Sequence, residues 1–301
     1  IFFQKEDNSI WVDLNKHGLD NKLLVRSDGT SVYITQDIGT AILRFRDFPK
    51  IEKQIYTVGN EQEYHFKVLF KILEIQGFDW AKECFHLSYG MIDLPSGKMK
   101  SREGTVVDAD KLLKEMVHIS EKRTKELGKI NDFNKDEQKL LFEKIALSAV
   151  KYFLLKIDPK KSMLFDPDES IDFQGNTGPF IQYTYARIIS ILERSKNIGI
   201  KDDFDINVNV KDINEFEKKI IYLLSVFPDK ISIAASEYSP SIIANYIYDL
   251  SKAYNRFYQE ISIFKEEDSE TIIFRISLSR TVSKVIRNGM KLLGINMTNK
   301  M

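Results

Sequence analysis

The residues Gly97-Lys98-Met99-Lys100-Ser101-Arg102-Glu103-Gly104 place two glycines, a hydroxyl and three cations directly after a strand-like run. Such a segment can take a polyphosphate, because cations neutralise the charge and glycines let the backbone approach. Composition alone favours a solvated basic turn, and the position after a strand end narrows that gap without closing it. Tyr33 and Asp37 are four apart, so a helix places them on one face. The carboxylate could receive a cationic ligand with the ring as wall or hydrogen-bond partner; an ordinary helix start with acidic first-turn residues reads the same. Gly59-Asn60-Glu61-Gln62 sets a carboxylate and an amide between a strand end and a helix start. That chemistry suits ribose hydroxyls or a polar substrate, and equally an N-terminal cap. His65, one turn later, is open between the site and helix packing.

Two later segments point to nucleic acid. Gly175-Asn176-Thr177-Gly178-Pro179 is a helix start, and Phe180, Tyr183 and Arg187 follow at i, i+3 and i+7. An aromatic–aromatic–cation stripe is a platform for unstacked bases. A face packed into a bundle, with Arg187 reaching out to solvent, is an equal reading. From Thr271 to Met301 there is no acidic residue, while Arg275, Arg280, Lys284, Arg287, Lys291 and Lys300 are present. Arg280, Lys284, Arg287 and Lys291 are spaced four, three and four, a basic stripe that leans toward phosphate contact.

The elements that must position these residues fall into two halves. Up to about residue 35 the pattern is of short strands and turns, Ile10-Trp11-Val12 and Leu23-Leu24-Val25 among them. Ile38, Ala41, Ile42 and Phe45 then recur at helical spacing before Pro49. Gln54–Val58 reads as a strand ending at Gly59, and Phe66, Leu69, Phe70, Ile72 and Leu73 as a helix ending at Gly77. Phe85–Gly90 reads as the next strand, which completes a parallel crossover unit. Ligands of such sheets sit beyond the carboxyl ends of the strands, where Gly59 and the residues after Gly90 lie. From about Asp108 the pattern is helical, with amphipathic stretches at 108–127, 135–156, 179–196, 212–226, 240–263 and 270–293.

Composition bounds the function more loosely. The 301 residues hold 44 basic and 44 acidic side chains, so a nucleic-acid partner must be argued from local patches. The 43% hydrophobic and 12% aromatic content is enough for sizeable cores. One cysteine, Cys84, rules out an internal disulfide, makes a structural zinc site unexpected and fits a reducing compartment. No apolar run reaches membrane-spanning length and no signal peptide is present, so the expectation is a soluble cytosolic protein. The chain opens Ile1-Phe2-Phe3-Gln4, without an initiator Met and as if inside a strand, and reads as cut from a larger protein.

The order of these segments resembles arginyl-tRNA synthetase, a class I synthetase, over nearly the whole chain. The segments are Tyr-x-x-x-Asp-Ile, Val-Gly-x-x-Gln-x-x-His-Phe, Lys-Met-Lys-Ser-Arg-Glu-Gly, the Gly-Asn-Thr-Gly-Pro helix, and Arg-Asn-Gly-Met-Lys-Leu-Leu-Gly-Ile near a terminal Met. Segments 175–187 and 287–295 are the most specific. The resemblance implies an α/β part with a partial Rossmann-like parallel sheet over residues 1–125. An all-α helical bundle, the anticodon-binding domain, then spans 126–301.

It also implies roles by position. Tyr33, Asp37 and Gln62 match residues that hold arginine; Gly59 and Glu61 fall at the ATP ribose and His65 near the nucleotide. Lys98, Met99, Lys100, Ser101 and Arg102 look like the family's Lys-Met-Ser-Lys-Ser loop, which stabilises the leaving pyrophosphate. Aligned without a gap, Ser101 takes the second lysine position; a shift of one residue supplies Lys100 instead. Phe180, Tyr183, Arg187, Tyr258 and Met301 match anticodon-loop contacts. The Asp-Ala-Leu-Arg signature is not literal here, since Arg275-Ile276-Ser277-Leu278 stands nearby. ATP with Mg2+, arginine and tRNA are the implied partners of a monomeric, cytoplasmic ligase with no tightly bound cofactor and no metal site. The class's His-Ile-Gly-His element has no counterpart among His17, His65, His86 and His118. The expectation is therefore that these residues alone do not catalyse the reaction; the alternative is a stand-alone tRNA-binding module. A cysteinyl synthetase is a poorer fit, because its zinc site needs more cysteine.

Overall fold

The computed structural model describes residues 1–95, 108–126, 128, 130, 133–200 and 212–301, which fall into two compact units, Ile1–Met91 and Ile92–Met301. In the first, strands β1 (Phe2–Gln4), β2 (Ile10–Val12) and β3 (Lys22–Val25) form an antiparallel meander in which Phe2 faces Val12 and Trp11 faces Leu23. Helix α1 (Tyr33–Asp47) follows and buries Ile34, Ile38 and Ala41. Strand β4 (Gln54–Gly59), helix α2 (Glu63–Ile75) and strand β5 (Cys84–Tyr89) then make the crossover that the periodicity predicts. β4 and β5 pair in parallel from Gln54↔Cys84 to Gly59↔Tyr89. Gly77, at φ 86°, supplies the left-handed turn behind α2 that a side chain rarely adopts. Val12, Leu14, Ile34, Ile38, Phe66, Leu69 and Ile72 form one apolar core that fixes α1 and α2.

The second unit is the helical half. It begins with a short parallel pair, β6 (Ile92–Asp93) and β7 (Met163–Leu164), which sequence periodicity does not announce because two residues carry no period. Its helices are α3 (Ala109–Glu126), α4 (Lys135–Leu155), the single turn α5 (Pro167–Ser170), α6 (Gly178–Asn197), α7 (Glu215–Ser225), α8 (Phe227–Ser236), α9 (Pro240–Glu260) and α10 (Ser269–Leu292). Six match the expected amphipathic stretches. α8 is additional; none of its residues is fully buried, and Phe227, Ile231 and Ala234 pack partly buried against the main core. Tyr152, Ile181, Tyr185, Ile247, Tyr254, Phe257, Ile276 and Ile286 build the main core. Two glycines permit its closest approaches. A Cβ on Gly178 would fall 2.5 Å from the Ser148 backbone oxygen, and one on Gly289 2.5 Å from Ile247 Cδ1. Among the described residues, no helix is long and apolar enough to cross a membrane.

Candidate functional site

In the first unit Gly59, Glu61 and Gln62 lie at the carboxyl end of β4, with His65 following on α2. Gly59 is buried at the end of β4, and a Cβ there would overlap the Glu61 carboxylate, so the missing side chain is what lets Glu61 fold over the strand end. A 3-10 turn, Asn60–Gln62, carries the chain into α2. Gln62 occupies the N-cap position but its side chain caps no backbone amide, which leaves the exposed carboxamide for another partner. Tyr33 is the first residue of α1 and is 80% exposed. Asp37 lies one turn on. It is not a first-turn acid, since α1 has none, so the bland reading of Asp37 as a helix-start carboxylate does not hold.

His65 joins the two helices. Its Nε2 lies 2.7 Å from Asp37 Oδ2, which brings a residue expected at the nucleotide against one expected at arginine. Phe66 sits between two histidines, edge-on to His65 at 5.5 Å and tilted against His86 at 4.4 Å. His86 Nε2 lies 3.1 Å from the Val58 carbonyl oxygen, so the second ring is anchored to the sheet. Beneath them Tyr56 packs on Phe66 and Phe70, and burial pushes its hydroxyl up to about 12. Lys98, Met99, Lys100, Ser101 and Arg102 lie outside the described residues.

The second constellation is built on the start of α6. Thr177 caps the helix by accepting from Phe180 N at 3.2 Å, while Lys156 Nζ donates to the Asn176 carbonyl at 3.1 Å. The Tyr152 hydroxyl, its pKa driven up by burial, lies 2.7 Å from Asn176 Oδ1 and 3.0 Å from the Ala244 carbonyl. These bonds tie α6 to α4 and α9 and set the direction in which its stripe faces. Phe180 does not stay with that stripe; its ring packs 5.4 Å from Tyr248. Tyr183 and Arg187 do. The Arg187 guanidinium lies 4.9 Å from the Tyr183 ring and 5.0 Å from the Tyr258 ring. All three, with Met301, line a cavity of about 740 Å³.

Sequence reasoning missed three members of this site. Asn255 accepts a hydrogen bond from Arg187. Arg194 stands 4.4 Å from the Phe264 ring, and both line the cavity. Arg194 continues the Arg187 face by another seven residues, a signal that extending the stripe would have caught. On α10, Lys284, Arg287 and Lys291 are exposed and form no ion pair among the described residues. Arg275 is different, because folding brings acids to it from elsewhere in the chain. Its Nε donates to Glu217 Oε1 at 2.7 Å and its Nη1 to Glu266 Oε2 at 3.0 Å. The Glu217 side chain is 1% exposed, and its Oε2 also accepts from Asn214 N at 2.9 Å.

Comparison with known proteins covers both units. The family described as tRNA synthetases class I (R), catalytic domain, matches residues 2–166, and the DALR anticodon binding domain matches residues 181–301. An arginine–tRNA ligase of Flavobacterium psychrophilum is 53% identical over 302 residues, covering 100% of this chain and 49% of the relative. One from Bacteroides thetaiotaomicron is 54% identical over 301 residues, covering 100% and 50%. The chain thus spans about half the length of the curated relatives it matches. The solved arginyl-tRNA synthetase of Thermus thermophilus shares the fold, with a TM-score of 0.85 at 22% identity over 100% of this chain and 56% of that one. With one family match over more than half its length and close relatives along all of it, the chain belongs to the class I arginyl-tRNA synthetase family.

Proposed function

We propose that the chain serves the ATP-dependent attachment of arginine to its tRNA. The observation that carries this is the identity of 53% and 54% to arginine–tRNA ligases along the entire chain. In this reading the Asp37 carboxylate receives the arginine guanidinium, Tyr33 forms a wall, and Gln62 takes polar groups of the amino acid. Gly59 and Glu61 meet the ATP ribose, with His65 beside the nucleotide. An arginine carboxylate oxygen attacks the α-phosphorus and pyrophosphate leaves, its charge met by cations of residues 98–102. A terminal ribose hydroxyl of the tRNA then attacks the acyl carbon, and AMP departs. The protein's part is positioning and charge stabilisation. Magnesium is the expected companion of ATP, which it usually meets through phosphate oxygens.

Tyr183, Arg187, Tyr258 and Met301 grip the anticodon loop, with Phe180 supporting them from the α9 side. The protein works as a cytoplasmic monomer. A second reading, a tRNA-binding module without catalysis, draws support from the fact that the cavity and all its lining residues lie within Ile92–Met301. Arginine binding separates the two readings, since the module without catalysis predicts none, and pyrophosphate exchange with arginine, ATP and tRNA tests the inactivity. The 301 residues, which hold no His-Ile-Gly-His element, are expected to bind tRNA in a gel shift at low salt and to show exchange at background. Turnover clearly above background would defeat the inactivity, and no tRNA shift would defeat both readings.

A further inference from the structure

We infer that His65 is a positioning residue for Asp37: its imidazole fixes the carboxylate that takes the guanidinium. The inference rests on the reading of Asp37 as the arginine carboxylate.

The geometry assigns the two groups unequal parts. The His65 side chain is 21% exposed and set edge-on against Phe66, whereas the Asp37 side chain is 43% exposed. The ring is thus the anchored partner and the carboxylate the reachable one. Contact is made through Asp37 Oδ2, at 2.7 Å, and Oδ1 accepts no hydrogen bond among the described residues. A carboxylate only accepts, so the neutral ring must carry its proton on Nε2. In that tautomer His65 holds one oxygen and leaves the full negative charge for a ligand. A guanidinium, with parallel N–H donors, is the cation whose shape suits such a carboxylate. The other ionisable groups on the elements packed around it are Tyr33, Arg44, Arg46 and Asp47 on α1, Tyr56 on β4, and Cys84, His86 and Tyr89 on β5. Glu61, Glu63 and Lys67 are near it in sequence, and none of these forms an ion pair with His65 among the described residues.

Side-chain NMR of the 301-residue protein tests this, paired with calorimetry using L-arginine. His65 is expected as the Nε2–H tautomer. Asp37→Ala is expected to release the ring to a mixture of tautomers. His65→Ala weakens arginine binding about tenfold, the worth of roughly one charge-assisted hydrogen bond. His65→Gln, which keeps an N–H donor, restores most of it. The Nδ1–H tautomer in wild type, or an unchanged Nε2–H tautomer in Asp37→Ala, overturns the pairing. Wild-type arginine affinity in His65→Ala overturns the positioning role. No arginine binding by wild type, with the Nε2–H tautomer present and released by Asp37→Ala, shows that the arginine reading itself is wrong, and the proposal falls with it.

Discussion

Asn255 on α9 holds Arg187 on α6: the guanidinium donates to Asn255 Oδ1, and Asn255 Nδ2 donates in turn to Thr184 Oγ1 at 2.7 Å. This bond fixes the cation between the Tyr183 and Tyr258 rings instead of leaving it to sample solvent. Asn255→Ala should therefore weaken tRNA binding roughly fivefold while leaving its salt dependence unchanged, because the charge remains and only its placement is lost. Arg187→Ala should cost more and flatten the slope of log affinity against log salt by about one unit if the cation meets a phosphate. Fluorescence anisotropy over a potassium chloride series reads both. Wild-type affinity in Asn255→Ala would show that the bond is incidental.

Local periodicity accounts for much of the fold and less of the site. β4, α2 and β5 were legible because strand and helix periods alternate there between Gly59 and Gly77, and each period buries one face. α8 was not, because its ten residues follow α7 almost without a break and its apolar face, Phe227, Ile231 and Ala234, is short and only partly buried. The four-residue spacing put Tyr33 and Asp37 on one helix face, while only the resemblance assigned them to arginine. The bond from Asp37 to His65 spans 28 residues, and no spacing rule reaches across two elements. Arg275 makes the same point from the other side. It looked like one more cation in the acid-free stretch 271–301, but Glu217, 58 residues away, neutralises it in the core. Short-range pattern says what a residue can do, and long-range packing decides what it meets.

Gly178 offers a test of packing. A Cβ there would fall 2.5 Å from the Ser148 backbone oxygen, which cannot swing aside as a side-chain tip can. Gly178→Ala should destabilise the protein by about 2 kcal/mol through overpacking. Gly39, inside α1, has nothing within 4 Å of its ideal Cβ. Gly39→Ala should then stabilise by about 0.5–1 kcal/mol, the ordinary helix preference for Ala over Gly. Urea denaturation of the two variants against wild type gives the signs directly, and destabilisation of similar size in both would contradict the close-approach argument.

Alkaline pH should unfold the protein through groups that burial keeps neutral. Burial pushes the Cys84 thiol from 9.0 up to about 11 and the Tyr56 hydroxyl from 10.0 up to about 12. Tyr152, Tyr246 and Tyr254 in the helical unit move in the same direction for the same reason. In each case the folded state binds its proton more tightly than the unfolded chain does. The contribution to stability is thus complete below the unfolded values, near pH 9 for the thiol, and is lost as pH rises through the folded ones. Stability should hold up to about pH 9 and then decline, with residues 1–91 responding first because Cys84 has the lowest of these values. The Cys84→Ser and Tyr56→Phe double variant should show a shallower decline between pH 9 and 11 in thermal melts. At pH 8 the native thiol should react with a chromogenic disulfide far more slowly than the urea-unfolded chain, for want of thiolate and of access. Equal reaction rates in the two states would mean that Cys84 is neither shielded nor shifted, and the alkaline limb would need another source.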